Sequence, residues 1–148
     1  MVVMEEPITD DLIKEVDALT CLHWEEINTI GLPYDPDWPR YKLMNELGAV
    51  RAFVARYEGA VVGYSTYFLS THMHNKNCIM AIQDTLFLHP GHRLGSAGVR
   101  LVMMAEHELK KSGVDLIVQT VTDAYDIGAI FERLGYQSME RSVAKYLM

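Results

Sequence analysis

The sequence predicts an α/β (α+β) domain with a mixed, mainly antiparallel central sheet, flanking helices and one strand–helix–strand crossover. Three observations carry that reading. Two β-rich runs, residues 50–57 and 61–69, flank a short turn of Glu58, Gly59 and Ala60 and read as a hairpin. A third long run, residues 78–88, is stopped by Pro90 and Gly91. Beyond it Gly98, Leu101, Val102, Ala105 and Leu109 recur three and four apart, a helical stripe, ahead of another apolar run at residues 116–121.

The remaining elements fall around this frame. Residues 2–4 suit a short first strand. From Asp10 the apolar positions Leu12, Ile13, Val16, Leu19, Leu22 and Ile27 have helical spacing, with Thr9 or Asp10 as N-cap and an end near Gly31. Pro33, Pro36 and Pro39 deny the next segment regular hydrogen bonding, so it is a lid or a rigid connector, followed by a short helix at about 38–47. Residues 72–77 look like a loop. Lys110, Lys111 and Gly113 close the long helix after residue 98, residues 126–134 suit a short helix, and residues 136–139 and 143–147 read as final strands.

A chain of 148 residues fits one domain, here residues 1–148, and buries enough surface to fold without a disulfide or metal. Its two cysteines, Cys21 and Cys78, its lack of a long apolar run and its acidic start at Glu5 and Glu6 read as a cytoplasmic protein with reduced thiols and no membrane contact. A net charge of −7 without a block of Lys and Arg argues against nucleic acid as a partner. The most cationic stretch gathers His89, His92, Arg93, Arg100, Lys110 and Lys111, enough for a local anion site.

That stretch also holds the informative junction. From Leu86 the chain reads Leu-Phe-Leu-His-Pro-Gly-His-Arg-Leu-Gly-Ser-Ala-Gly-Val, a strand end, a turn rich in small residues and a helix start. Such a turn leaves backbone N–H groups pointing outward, and Gly95 and Gly98 let a ligand such as a pyrophosphate approach. Close packing of helix on sheet would use the same small residues, so two readings stand on physics alone.

The junction resembles the phosphate loop of the GNAT acetyltransferases, Arg/Gln-x-x-Gly-x-Gly/Ala after a hydrophobic-x-Pro-x-x-Arg phrase. Leu88, Pro90, Arg93 and Gly98 match it; Ser96 stands where the central glycine belongs, with Gly95 beside it. Downstream, Ile130-Phe-Glu-Arg-Leu-Gly-Tyr136 is similar to the superfamily's Leu-Tyr-x-x-x-Gly-Phe phrase. Two such phrases in order are more specific than one glycine loop, and the resemblance spans residues 50–147, with the flavour of compact phage acetyltransferases.

The resemblance implies a GNAT-like fold whose crossover binds acetyl-CoA as co-substrate, an N-acetyltransferase activity, and a primary amine of a small molecule or protein as acceptor. The cofactor would meet the backbone of Leu86, Phe87 and Leu88 and the loop residues Arg93, Leu94, Gly95, Ser96, Ala97, Gly98 and Val99. An N–H near Leu86 or Phe87 would polarise the thioester carbonyl, and the amine would attack directly in a ternary complex. An amine with a pKa of about 10.4 must first lose a proton, a cost of roughly 4–5 kcal/mol at pH 7. Asp84 is the candidate base, a charge within an apolar strand, against the alternative of a residue on a solvated strand face. The family's acid, a tyrosine, aligns with Phe131, which donates no proton; either Tyr125 serves instead or the thiolate leaves unaided.

His72, His74 and Cys78 lack a fourth ligand for a metal site, and Cys21 and His23 do not share a helix face. Trp24, Tyr34 and Trp38 either line an acceptor pocket with Glu25 or Glu26 or belong to the core. The functional alternatives to an enzyme are an acyl-CoA-binding module with catalysis impaired by Ser96 and Phe131, or an interaction protein of GNAT shape. A homodimer through the terminal strands would suit the superfamily.

Overall fold

The computed structural model describes residues 1–148. In chain order the elements are β1 (Val2–Glu5), α1 (Asp10–Ile27), α2 (Trp38–Glu46), β2 (Val50–Tyr57), β3 (Ala60–His72), β4 (Asn75–Leu88), a 3-10 turn (Pro90–His92), α3 (Ala97–Lys111), β5 (Leu116–Val118) and α4 (Gly128–Arg133). One sheet runs β1-β2-β3-β4-β5, antiparallel except for the parallel β4–β5 pair that brackets α3. The predicted class and crossover are therefore present.

Two apolar layers hold the sheet. On one face Phe53, Ala55, Tyr67 and Ala81 pack against Leu101, Ala105 and Leu109 of α3. On the other, Val54, Val61, Tyr64 and Phe87 pack against Leu12 and Val16 of α1. Burying each large side chain contributes about 1.5–3 kcal/mol, so these layers fix where both helices sit. Helix ends follow local chemistry: Thr9 Oγ1 accepts from Leu12 N at 3.1 Å, Asp37 Oδ1 accepts from Arg40 N at 3.1 Å, and Gly113, at φ +92°, turns the chain after α3.

Several predicted boundaries move. β3 and β4 extend to a tight turn at Met73 and His74, which replaces the loop expected over residues 72–77; α1 ends at Ile27, short of Gly31; β5 is only three residues long. α4 starts at Gly128 because Asp126 Oδ1 takes the Gly128 N–H at 2.8 Å and holds a turn there. The final strands expected at 136–139 and 143–147 do not form. A β-rich run becomes a strand only when its N–H and C=O groups find a partner edge. Here the sheet ends at the short β5, and residues 137–148 are exposed throughout.

Candidate functional site

The site begins with one extra residue. In the β3–β4 ladder Thr66 pairs with Thr85 and Tyr67 with Gln83, so Asp84 is unmatched and forms a β-bulge. Side chains alternate along a strand, and an extra residue reverses the alternation. Ala81 accordingly packs toward α3, whereas Phe87 packs toward α1. The bulge brings Asp84 and Thr85 together on the α1 side, where Asp84 Oδ2 accepts the Tyr41 hydroxyl at 2.5 Å and the Thr66 hydroxyl at 2.9 Å. Burial first, then the charge of Asp84, pushes the Tyr41 hydroxyl well above the ordinary tyrosine range, so it remains a donor.

Immediately after the parallel pairs Met80–Leu116, Ala81–Ile117 and Ile82–Val118, β4 and the following chain separate. Gln83 reaches across the gap, its Oε1 accepting from Thr120 N at 3.1 Å, and Gln119 turns inward to Tyr67 and Tyr136. A cleft opens between them, lined by Leu86, Phe87, Leu88, Gly98, Val99 and Tyr125 among others. From Gln83 to Leu88 the outer edge of β4 has no strand beside it.

The cleft runs to the start of α3. There the backbone N–H groups of Leu94, Gly95, Ser96, Ala97, Gly98 and Val99 have no hydrogen-bond partner, and Ser96 does not cap the helix through its side chain. A Cβ built on Gly95 or Gly98 meets nothing within 4 Å, so the space above this turn is open. Free donors, a helix dipole and open space together fit an anionic group such as a pyrophosphate.

Arg93 has a different surrounding from the loop it introduces. Its guanidinium forms a two-pronged pair with Glu26 of α1, both contacts at 2.8 Å, and its Nε donates to Leu88 O at 2.7 Å. The Tyr125 ring lies under it, 4.3 Å from centroid to Cζ. Hydrogen bonding to Arg93 holds the Glu26 carboxyl below its usual range. Arg93 thus ties α1 to the end of β4 and fixes Tyr125 at the cleft wall, and the Leu88 carbonyl is already engaged.

A second, larger cavity of about 370 Å³ lies on the α1 side of the sheet. Trp24, Tyr34 and Trp38 line it, as one of the two readings of the sequence had it; Glu26 instead lines the cleft, and Glu25 lies outside both. The cleft and the cavity share His23, Ile27, Asp84 and Thr85. His23 is buried, stacks on Phe87 at 4.7 Å and lies 2.9 Å from the Tyr64 hydroxyl. Burial lowers its pKa to about 4, with the Arg93 charge assisting and Glu26 opposing, so the ring is neutral at pH 7.

Phe131 is buried against Tyr136 and has no path to the cleft chemistry, while Tyr125 stays half-exposed at its wall. Sequence reasoning missed Tyr41, Thr66 and Tyr64, and considered His23 only as a partner for Cys21. The one available signal was the polar triplet Gln83, Asp84 and Thr85, which interrupts an apolar strand where the bulge falls. No group of three or more His, Cys, Asp or Glu side chains converges in a way that would hold a metal ion.

A sheet that opens beside an uncapped helix start within a β4–α3–β5 unit is the architecture of an acetyltransferase. Sequence comparison makes the assignment specific: the chain belongs to the acetyltransferase (GNAT) family, whose profile matches residues 17–136. The match begins within α1 and stops at Tyr136, where the exposed tail begins. Among curated proteins, no sequence matches the chain. Among solved structures, it resembles a ribosomal-protein-alanine N-acetyltransferase from Brucella melitensis biovar Abortus 2308, with TM-score 0.73 and 13% identity over 99% of this chain and 100% of that one. It also resembles an aminoglycoside acetyltransferase from an uncultured soil metagenomic sample in complex with sisomicin, with TM-score 0.74 and 15% identity over 99% and 94%. A third likeness is to a predicted acetyltransferase with acetyl-CoA from Clostridium acetobutylicum, with TM-score 0.73 and 10% identity over 98% and 95%. At these identities the likeness is one of fold.

Proposed function

We propose that the protein is an N-acetyltransferase that carries an acetyl group from acetyl-CoA to a primary amine. The observation that carries this reading is the meeting of the cleft and the cavity at Asp84 and Thr85. Two compartments, one with free N–H donors for an anionic carrier and one on the opposite side of the sheet edge, touch at a carboxylate. That is what a direct transfer between two bound molecules needs.

Acetyl-CoA supplies an activated acyl group that an amine can attack. The chain's part is binding, orientation and proton movement. The N–H groups of Leu94, Gly95, Ser96, Ala97, Gly98 and Val99 would hold the pyrophosphate, and the free edge of β4 at Leu86 and Phe87 would hold the arm that leads from it. Arg93 supports this binding by fixing the loop's first residue to Glu26 and Leu88, so its role is to shape the cleft. Asp84 takes the proton of the acceptor ammonium on Oδ1, the oxygen that Tyr41 and Thr66 leave free. Tyr125 lines the cleft with its ring under Arg93, and its hydroxyl would return a proton to the departing thiolate. No nucleophile of the chain is required, which agrees with the lack of a Cys–His or Ser–His pair at the junction.

The test is a thermal-shift titration with acetyl-CoA against free CoA and ATP, followed by thiol release with an amine panel. Saturation at a hundred times the dissociation constant should stabilise the fold by about 2.7 kcal/mol. A shift specific to the CoA ligands with thiol release supports the enzyme. A shift without thiol release from any amine supports the impaired binding module instead, and no shift at millimolar acetyl-CoA removes both.

A further inference from the structure

We infer that the cavity beside Asp84 selects a small monoamine with an apolar, aromatic-sized body, such as an arylalkylamine, over polyamines, amino sugars and amino acids. This rests on the acetyl-transfer reading and names its acceptor class. The cavity of about 370 Å³ falls at the small end of the roughly 300–1,000 Å³ span of small-molecule sites. Its walls are aromatic: Trp24, Tyr34, Trp38, Tyr41 and Tyr64 all face it, and the Trp38 and Tyr41 rings stand 5.6 Å apart.

Apart from the Trp38 indole N–H, the side-chain polar groups of those aromatic walls already have partners. Tyr34 Oη lies 2.6 Å from Thr20 Oγ1, Tyr64 Oη 2.9 Å from His23 Nδ1, and Trp24 Nε1 donates to Leu32 O at 3.0 Å. Tyr41 and Thr66 both donate to Asp84 Oδ2. The inner end therefore offers one ionic anchor, Asp84 Oδ1, and aromatic faces that also favour a cation nearby. A ligand with one ammonium and an apolar remainder satisfies this inventory. One whose further ammonium or hydroxyl groups reach the aromatic inner part must strip water from them without finding free partners there.

Charge narrows the class further. No Lys or Arg lines the cavity, while Asp35 and Asp37 stand exposed at its mouth and Asp84 at its inner end. The field draws in a cation and opposes a carboxylate, so an amine should be preferred over the amino acid that differs from it only by that group. The strap over residues 28–38 is braced from within, since Asn28 and Leu32 exchange two hydrogen bonds, at 2.8 and 3.2 Å, and Tyr34 is tied to α1.

The test uses saturating acetyl-CoA and thiol release with phenethylamine, phenylalanine, spermidine and kanamycin. Phenethylamine should exceed each of the others in kcat/KM by about a hundredfold or more, the scale that unpaired polar groups impose. A preference for spermidine, kanamycin or phenylalanine overturns the inference while leaving acetyl transfer standing. Binding is read separately, because Trp24 and Trp38 are the chain's only two tryptophans and both line the cavity. Phenethylamine should alter their fluorescence saturably, with phenylalanine at least tenfold weaker. Should no amine release thiol, the transfer reading fails, and the same titration still decides the cavity: equal affinity for the pair overturns the inference.

Discussion

Tyr41 and Asp84, 43 residues apart in sequence, share a hydrogen bond of 2.5 Å at the point where the cleft meets the cavity. Asp84 is itself the unmatched residue of the bulge, and with Thr85 it lies on the α1 side, where Tyr41 packs. Replacing Asp84 by Asn keeps the shape and removes the base, so kcat should fall by about 10²–10⁴ with the KM for acetyl-CoA unchanged. Tyr41→Phe leaves the Thr66 bond in place and should lower kcat by about tenfold or somewhat more, since one hydrogen bond to a charged group contributes about 1.5–3 kcal/mol. Steady-state kinetics on both variants decide this; equal losses in KM for acetyl-CoA would show that Asp84 acts in binding and not as a base.

A carboxylate at the start of α3 should separate folding from cofactor binding. Gly98 lies in the first turn with open space beside its Cα, so Gly98→Glu suffers no clash, gains helix propensity and complements the helix dipole. Thermal stability should hold or rise by up to about 1 kcal/mol. The same charge repels a pyrophosphate, and acetyl-CoA affinity should drop at least tenfold. An unchanged affinity by calorimetry would move the pyrophosphate away from this turn.

The contrast between Gly98 and Asp84 shows what the sequence made legible. The loop was readable because its function is a local matter of small residues, a helix start and free N–H groups, all set by neighbours in the chain. The hairpin and the α3 stripe were readable for the same reason, as periodicity. Asp84 was found as an odd charge in an apolar strand, but its orientation was not, because a bulge is a property of the pairing with Thr66 and Tyr67. Tyr41, Tyr64 and His23 carry no local signal, since they gather only when α1 and α2 pack on the sheet. The terminal strands were overread because β propensity at Val143 and Leu147 says nothing of whether a partner edge exists.

Tyr125 is a further position where chemistry and structure separate cleanly. Tyr125→Phe keeps the ring under the Arg93 guanidinium, so the Arg93–Glu26 pair and the cleft wall should persist. Loss of the hydroxyl removes the proton donor and a minor polar contact with Arg93. If that proton is used, kcat should fall about tenfold or more while acetyl-CoA affinity is retained. Full turnover in this variant would mean that the thiolate departs unaided.

The buried His23 gives the fold a pH dependence with a defined sign. Its folded pKa of about 4 lies below the ordinary histidine value of 6.5, so between those values the unfolded chain holds a proton that the folded chain does not. Stability therefore rises with pH across that window: this contribution is fully present above about pH 6.5 and is lost as the pH falls toward 4, a total of about 3 kcal/mol. The Glu26 carboxyl, held below 4.5 by Arg93, adds its own loss only at lower pH, so the upper part of the window reports on His23. Denaturant unfolding at pH 7.0, 6.0 and 5.0 should show this slope, and His23→Gln, which keeps a polar partner for Tyr64 but cannot titrate, should flatten it. An identical slope in the variant would mean that His23 takes up its proton in the folded state as readily as in the unfolded one, and that the junction of cleft and cavity is wetter than its packing against Phe87 implies.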